Sequence, residues 1–358
     1  MKIEPSIDYS TLTAHLRDLY GLPIQTLTFV PEGECSAGYI VDCADGRRCF
    51  LKLWPDSRLG NALVRRMNVV LPIVHELRER RLLDHLSSPL QAGDGRLMAK
   101  FETYTLALFT FVEGQPLIGP VQDWPPGVME EIASIFARLH KAADQLKSPL
   151  PEESAFSMDF ADDLRRGLAA LDGIGPSARP GLQDLRSLLL PRRGELLHSL
   201  EETFALASAA QAAARKLVLC HTDLGGNNVL VSASPDGRPE VGLLDWDGLI
   251  LAPPEQDLQE YRDSAPASGG LHGHNTFSSF LRLYWQSGGV RPLDPLQFRF
   301  YLQRRYLADL TDWLIRILEE NTQDAQDAND LNGIKTYCLA YLDNFSEEMR
   351  LIEQAVGS

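Results

Sequence analysis

The sequence predicts an α+β protein of two lobes, a small β-rich N-terminal lobe and a larger, mostly helical C-terminal lobe. Three observations predict it. Short alternating runs separated by an Asp-Gly turn lie within the first hundred residues. Helical periodicity dominates from residue 128 onward. And 358 residues, of which 44% are hydrophobic and 23% charged, are enough to bury more than one core.

Taken in order, 38–42 and 48–54 read as strands of a hairpin turned by Ala44-Asp45-Gly46. The stretch 61–86 has helical spacing but contains Pro72. Because proline starts a helix far more easily than it sits inside one, the helix is expected over 71–85. A turn at 93–95 precedes a strand over 97–112, which ends at Glu113-Gly114. The first lobe therefore spans 1–111, with a connection at 112–116 and a second lobe over 117–358. There 128–142 and 162–171 read as helices, with breaks at 147–153 and 172–181. The stretch 185–219 is helical and then extended; 217–220, 229–232 and 241–244 read as strands. After a Gly-, Ser- and Ala-rich loop at 261–275 come helices over 276–285, 296–320 and 332–355, with 321–330 as a surface loop.

Charge narrows the partners. Thirty-four Lys and Arg stand against 49 Asp and Glu, a formal −15, which excludes a phosphate-backbone or anionic-membrane surface and suits a cationic small molecule. The first residues carry no apolar leader core, and an apolar stretch such as 106–112 is far short of the roughly 20 residues of a membrane span. Five cysteines without a CxxC pair read as free thiols in a reducing cytoplasm. Cys35, Cys43 and Cys49 lack the paired spacing of structural zinc, as does His272-Gly-His274. With no GxxxxGK[ST], any nucleotide site is not a P-loop. Monomer and homodimer both remain open.

The chemistry concentrates in LCHTDLGGNNVLV at 219–231, which holds His221-x-Asp223-x4-Asn228. Strands 229–232 and 241–244 are joined through Pro235-Asp236-Gly237, so Asn228 before the first and Asp245 after the second meet at one open end, about 5 Å apart as neighbouring strands are. An Asn and an Asp converging there suit Mg²⁺, a hard cation that takes oxygen ligands. Asp223 faces the same opening and can accept the proton of an attacking hydroxyl. Read singly, these residues would be turn formers and a strand terminator; their convergence favours ligation.

HTDLGGNN at 221–228 followed by LLDWDGLILAPPEQDL at 243–258 resembles the aminoglycoside phosphotransferase family, within the protein-kinase-like fold. The form LCHxD…N, DWD, LAPxExDL is most similar to its spectinomycin phosphotransferase branch. The resemblance implies a bilobal kinase-like fold whose 1–111 lobe binds ATP (or GTP), with a hinge at 112–116. It implies Asp223 as catalytic base, Asn228 and Asp245 as Mg²⁺ ligands, His221 as a structural member of the loop and Asp257 as its brace. Asp247, in the Asp-Trp-Asp that stands where protein kinases have Asp-Phe-Gly, would touch metal or substrate. Lys52 in CFLKLW would hold the α- and β-phosphates, paired with a helical glutamate. Glu76 and Glu79 both qualify, and Glu76 is preferred because the helical stretch before Pro72 has no acid. Residues 32–38 occupy the phosphate-loop position without GxGxxG, so the backbone around Ser36 would reach phosphate. Thr110 to Val112 fall where the family's hinge accepts adenine through the main chain.

For the acceptor, Asp309, Asp312, Glu319 and Glu320 fall on one stripe of helix 296–320 at 100° per residue, with Trp313 at its border. The family recognises cationic aminocyclitols with acids of its C-terminal helices, which makes this stripe a candidate; a solvated helix face is the simpler account. The function implied is ATP- and Mg²⁺-dependent phosphorylation of a hydroxyl on an aminocyclitol or aminoglycoside antibiotic, spectinomycin first. Two alternatives stand beside it. One is a kinase of a homoserine-, choline- or sugar-like alcohol; the other is a catalytically silent nucleotide-binding pseudokinase, against which the Asp223, Asn228 and Asp245 set argues.

Overall fold

The computed structural model of the chain describes residues 4–32, 35–119, 123–151, 154–234, 236–261 and 274–357. Contacts divide it into two units. The first comprises Met1–Ile118, Pro125–Glu152 and His221–Ile250, and the second Gly119–Trp124, Glu153–Cys220 and Leu251–Ser358. The helix 128–142 and the hairpin 229–243 group with the N-terminal sheet.

In the first unit, Asp8 accepts the N–H groups of Ser10 and Thr11 and so starts α1 (Tyr9–Tyr20), which Gly21 ends. Neither this helix nor β1 (Ile24–Val30) is among the elements expected from the sequence. The expected hairpin is present as β2 (Ala37–Cys43) and β3 (Arg48–Pro55), in register from Ala37 opposite Leu53 to Asp42 opposite Arg48. Next comes α2 (Arg58–Glu79), which corrects the expected 71–85: Ser57 caps it, and Pro72 lies inside. Met67, Val70, Leu71, Ile73, Val74 and Leu77 are buried on both sides of the proline. At about 1.5–3 kcal/mol per large apolar side chain, that burial exceeds the roughly 3 kcal/mol an internal proline costs.

The strand expected over 97–112 is two, β4 (Ala99–Phe101) and β5 (Tyr104–Thr110), broken where Glu102 turns at φ 49°. The sheet runs antiparallel in the order β1-β2-β3-β5-β4. Its core joins Leu12 and Leu16 of α1 to Tyr39, Val41, Leu51, Leu53, Leu106 and Leu108. The hairpin Val229–Ala233/Pro239–Leu243 forms with Val229 opposite Leu243, extended by Gln115–Pro116 and packed on α3 (Val128–Ala142).

The second unit is mostly helical, so the expected α+β class with a β-rich N-terminal part and a helical C-terminal part is borne out. It contains α4 (Ala161–Ala170), α5 (Pro180–Leu189), α6 (Arg193–Ala213), the short α7 (Glu255–Leu258), α8 (His274–Gln286), α9 (Pro295–Ile315), α10 (Asp324–Gly333) and α11 (Ala340–Gly357). Helix α9 is its axis, burying Phe298, Phe300, Tyr301, Tyr306, Leu310 and Leu314. The polar stretch 321–330 is not a loop but mostly α10, with Asp327 and Asp330 buried. Burial is possible because the acids are neutralised: Arg179 pairs with Asp327, and Arg316 with Asp330 at 3.3 Å. Asn321 donates to both, at 3.1 and 3.0 Å. Among the described residues no helix is long and apolar enough to cross a membrane. His272, Gly273 and most of the 261–275 loop lie outside the described residues, and His274 opens α8.

Candidate active site

Within the first unit, the loop 221–228 is built by short-range bonds. His221 is wholly buried; its Nε2 lies 2.9 Å from the Leu244 carbonyl, and its ring is 4.5 Å from that of Trp246. The Asn228 amide donates to the Asp223 carboxylate at 2.7 Å and to the Asp223 carbonyl at 3.0 Å. The Asn228 carbonyl in turn accepts the Leu244 N–H at 2.9 Å. Asn228 is thus tied to the residue just before Asp245, and the two stand at one end of the hairpin as its register requires. Asp223 is exposed. Asp245 sits at φ 55°, a left-handed conformation that Asp tolerates better than most residues.

Lys52 reaches this end from β3. Its Nζ donates to Asp245 Oδ1 at 2.7 Å and lies 3.4 Å from Asp247 Oδ1. Desolvation alone would lower the Lys52 pKa, but the charges of Asp247 and Asp245 outweigh it and hold the amine protonated. Partial burial acts to raise Asp245, and the Lys52 ammonium overcomes it, keeping that carboxyl below its ordinary range. Burial, with the Asp245 charge beside it, pushes Asp247 up to about 6 despite Lys52. One cation and two unequal acids therefore share a small opening, and the Asp245 side chain remains 46% exposed.

The expected Glu76–Lys52 pair is not formed. Glu76 accepts the N–H groups of Lys147 and Ser148 at 2.8 Å, accepts the Ser148 hydroxyl at 2.8 Å, and pairs with Arg80 at 3.0 Å. Its own desolvation is outweighed by these donors, which bring its pKa down to about 2. It anchors the segment after α3 rather than the nucleotide side. Thr110 is likewise committed: its N–H donates to the Ser88 carbonyl at 2.8 Å, and its hydroxyl donates to Leu86 and accepts from Ser88, both at 3.0 Å. A main-chain contact to adenine therefore cannot use the Thr110 amide. Val112 is half-buried against the hairpin, where a Cβ on Gly242 would come within 2.2 Å of Val112 Cγ1. Ser36 is buried one residue before β2; the register places Gly38 opposite Lys52, so this backbone neighbours the lysine. Gly33 and Glu34 lie outside the described residues.

Asp257, Asp309, Asp312 and Trp313 belong to the second unit. Asp257 is wholly buried on α7; burial, together with the charges of Asp257 and Glu255, pushes the Cys220 thiol well up. The acidic stripe is not continuous. Helix α9 ends at Ile315 and 316–320 wind in a wider π-type turn, so 100° spacing does not carry to Glu319 and Glu320. Asp309 lies 3.6 Å from Arg305, and Glu319 pairs with Arg166. Asp312 is exposed, and Trp313 lies 6.2 Å from the Tyr337 ring.

Sequence reasoning missed Arg66, whose guanidinium reaches the main chain of the Asp-Trp-Asp turn. No pattern could have revealed it, because its partners are carbonyls, which every residue possesses.

Residues 26–301 match the phosphotransferase enzyme family. Protein StrN of Streptomyces griseus is 25% identical over 251 residues, 68% of each chain. Among solved structures, spectinomycin phosphotransferase in complex with ADP and spectinomycin is similar with a TM-score of 0.68 at 16% identity, over 92% of this chain and 94% of that one. An ethanolamine kinase of Plasmodium vivax is similar with a TM-score of 0.55 at 12% identity, over 87% and 82%.

Proposed function

Because the chain belongs to the phosphotransferase enzyme family, we propose that it transfers the γ-phosphate of ATP to a hydroxyl of an aminocyclitol or aminoglycoside antibiotic, spectinomycin first. The observation that carries this is the Asp223–Asn228 bond at 2.7 Å beside the Lys52–Asp245 pair. An exposed carboxylate fixed in orientation can align an acceptor hydroxyl and take its proton as the O–P bond forms. Lys52, already protonated, offers its ammonium to the phosphates.

The donors fit Mg²⁺. Asn228 gives its amide N–H to Asp223 and keeps its side-chain oxygen, while Asp245 presents a partly exposed carboxylate. Asn228 and Asp245 would hold the ion, which when bound neutralises charge on the phosphate oxygens. The antibiotic assignment draws on the likeness to spectinomycin phosphotransferase.

A small-metabolite kinase is the second reading. It is favoured by the pairing of Asp309 and Glu319 with arginines, which weakens the case for a cation-attracting helix. ATP turnover with purified protein, followed by phosphorus NMR of the product, separates the two. The panel is spectinomycin, several aminoglycosides, choline, homoserine and sugars. Phosphorylation of spectinomycin above all others is expected. Preference for a metabolite alcohol overturns the antibiotic assignment, and no product with any acceptor overturns the transferase reading.

A further inference from the structure

Arg66 of helix α2 reaches the turn after Asp245. Arg66 Nε donates to the Asp247 carbonyl at 2.5 Å, and its Nη2 donates to the Leu249 carbonyl at 3.3 Å. The carbonyl between them, that of Gly248, accepts the Thr222 hydroxyl at 3.1 Å. Three successive carbonyls are therefore gripped from two sides, by α2 and by the catalytic loop. The grip is close: a Cβ on Gly248 would lie 2.1 Å from Thr222 Oγ1.

The side chains of this turn are held by Lys52, which meets Asp245 and Asp247, and by the packing of buried Trp246 on His221; Arg66 acts on its main chain. The turn is a single 3₁₀ turn, Trp246–Gly248, headed by Asp245 in a left-handed conformation. A non-glycine residue there costs on the order of 1 kcal/mol or more and persists only under outside restraint. The restraint expected from α2, a glutamate on Lys52, is missing. Residues 58–75 contain no Asp or Glu, and Glu76 is engaged with Lys147 and Ser148.

We infer that Arg66 is a positioning residue that couples α2 to the Asp245–Asp247 turn and so sets how well the Asp245 carboxylate is placed for the divalent cation of a metal–nucleotide complex. The planar guanidinium suits the task, since its fixed fork of donors spans carbonyls two residues apart. A lysine carries its three donors on one nitrogen and does not reproduce that fork. The inference rests on the phosphotransferase reading and concerns the metal step alone.

The test is binding of ADP to the full chain as Mg²⁺ is titrated, with no acceptor present. Wild type is measured first: ADP binding that does not strengthen with Mg²⁺ overturns the metal role of Asp245 and this inference together. In Arg66→Ala the Mg²⁺ concentration for half-maximal effect should rise about tenfold or more, the usual consequence of losing a group that orients a metal ligand. ADP binding in EDTA should change by less than about twofold, because Arg66 acts on the metal ligand alone. Arg66→Lys should fall between, at about threefold, with one carbonyl still held. An unchanged Mg²⁺ midpoint in Arg66→Ala overturns the inference, as does equal loss with and without Mg²⁺. If Arg66→Ala gives no cooperative melt, Arg66→Lys decides alone, and a wild-type midpoint overturns it.

Discussion

The end of the 229–243 hairpin and the C-terminal helices both gather acids, yet they hold them in opposite ways. In the first unit Asp223 is set by the Asn228 amide, and Asp245 by the Asn228–Leu244 main-chain bond before it and by Lys52 of β3; both stay exposed. In the second unit the buried Asp327 and Asp330 are met by Arg179 and Arg316, the first of them 148 residues away. The difference separates acids that can work from acids that build. A carboxylate fixed by an amide and left exposed keeps its charge for a ligand, whereas one matched to an arginine and buried has spent it on packing.

The largest expected effect breaks the first side of this contrast. Asp223→Ala should lower turnover by at least about a hundredfold, the usual consequence of a lost general base, with ADP binding retained. Turnover within a few-fold of wild type would return Asp223 to a turn former.

Two stability predictions follow in size. Glu76 is an acid that builds within the first unit. Glu76→Gln should cost about 2 kcal/mol near neutrality, as hydrogen bonds to a charged acceptor do. The pKa of Glu76 falls from 4.5 to about 2 in the fold, so its stabilisation is complete above about 4.5 and is lost as pH falls toward 2. Urea melts from pH 7 to pH 2 should show the two proteins converging; a constant gap would deny the carboxylate its role. Glu255 in the second unit has the opposite sign. Burial raises it from 4.5 to about 7, so the fold holds a proton that the unfolded chain has released, and stability declines as pH rises through that window. Glu255→Gln can still accept the Asp294 N–H, made at 2.7 Å, and removes the penalty. It should gain about 1–2 kcal/mol over wild type at pH 8 and nothing near pH 4.5. A gain independent of pH would show that Glu255 is not the titrating group.

What the sequence made legible follows the same division. The Asp223 to Asp245 cluster could be read because hairpin register and a short turn are local and Asn228 bonds Asp223 close along the chain. Helix α2 was misplaced because proline was weighed against local propensity, while burial of Met67, Val70 and Ile73 settled the matter through the fold. Glu76 looked like a lysine partner because a helical acid shows its charge and hides its direction; its donors, Lys147 and Ser148, are main-chain groups with no signature. Asp327 and Asp330 read as solvated for the same reason, since Arg179 and Arg316 are named in the sequence but not paired there. Helix α1 is a different case: Asp8 and Gly21 signal both its ends, and local physics was sufficient.

The smallest expected effect sharpens the second side of the contrast. Asp309 and Arg305 lie 3.6 Å apart with side chains 39% and 32% exposed, a pair of the kind worth about 0–1 kcal/mol. Arg305 also holds Glu260, so removing the Asp309 charge leaves the arginine occupied. Asp309→Asn should therefore change the melting free energy by under about 1 kcal/mol and the KM for spectinomycin by less than about threefold. A tenfold rise in KM for spectinomycin, with none for an uncharged sugar acceptor, would show that this acid faces the substrate. Pairing with arginine would then no longer mark an acid as architecture, because Arg305 would be holding Asp309 in position for a cation.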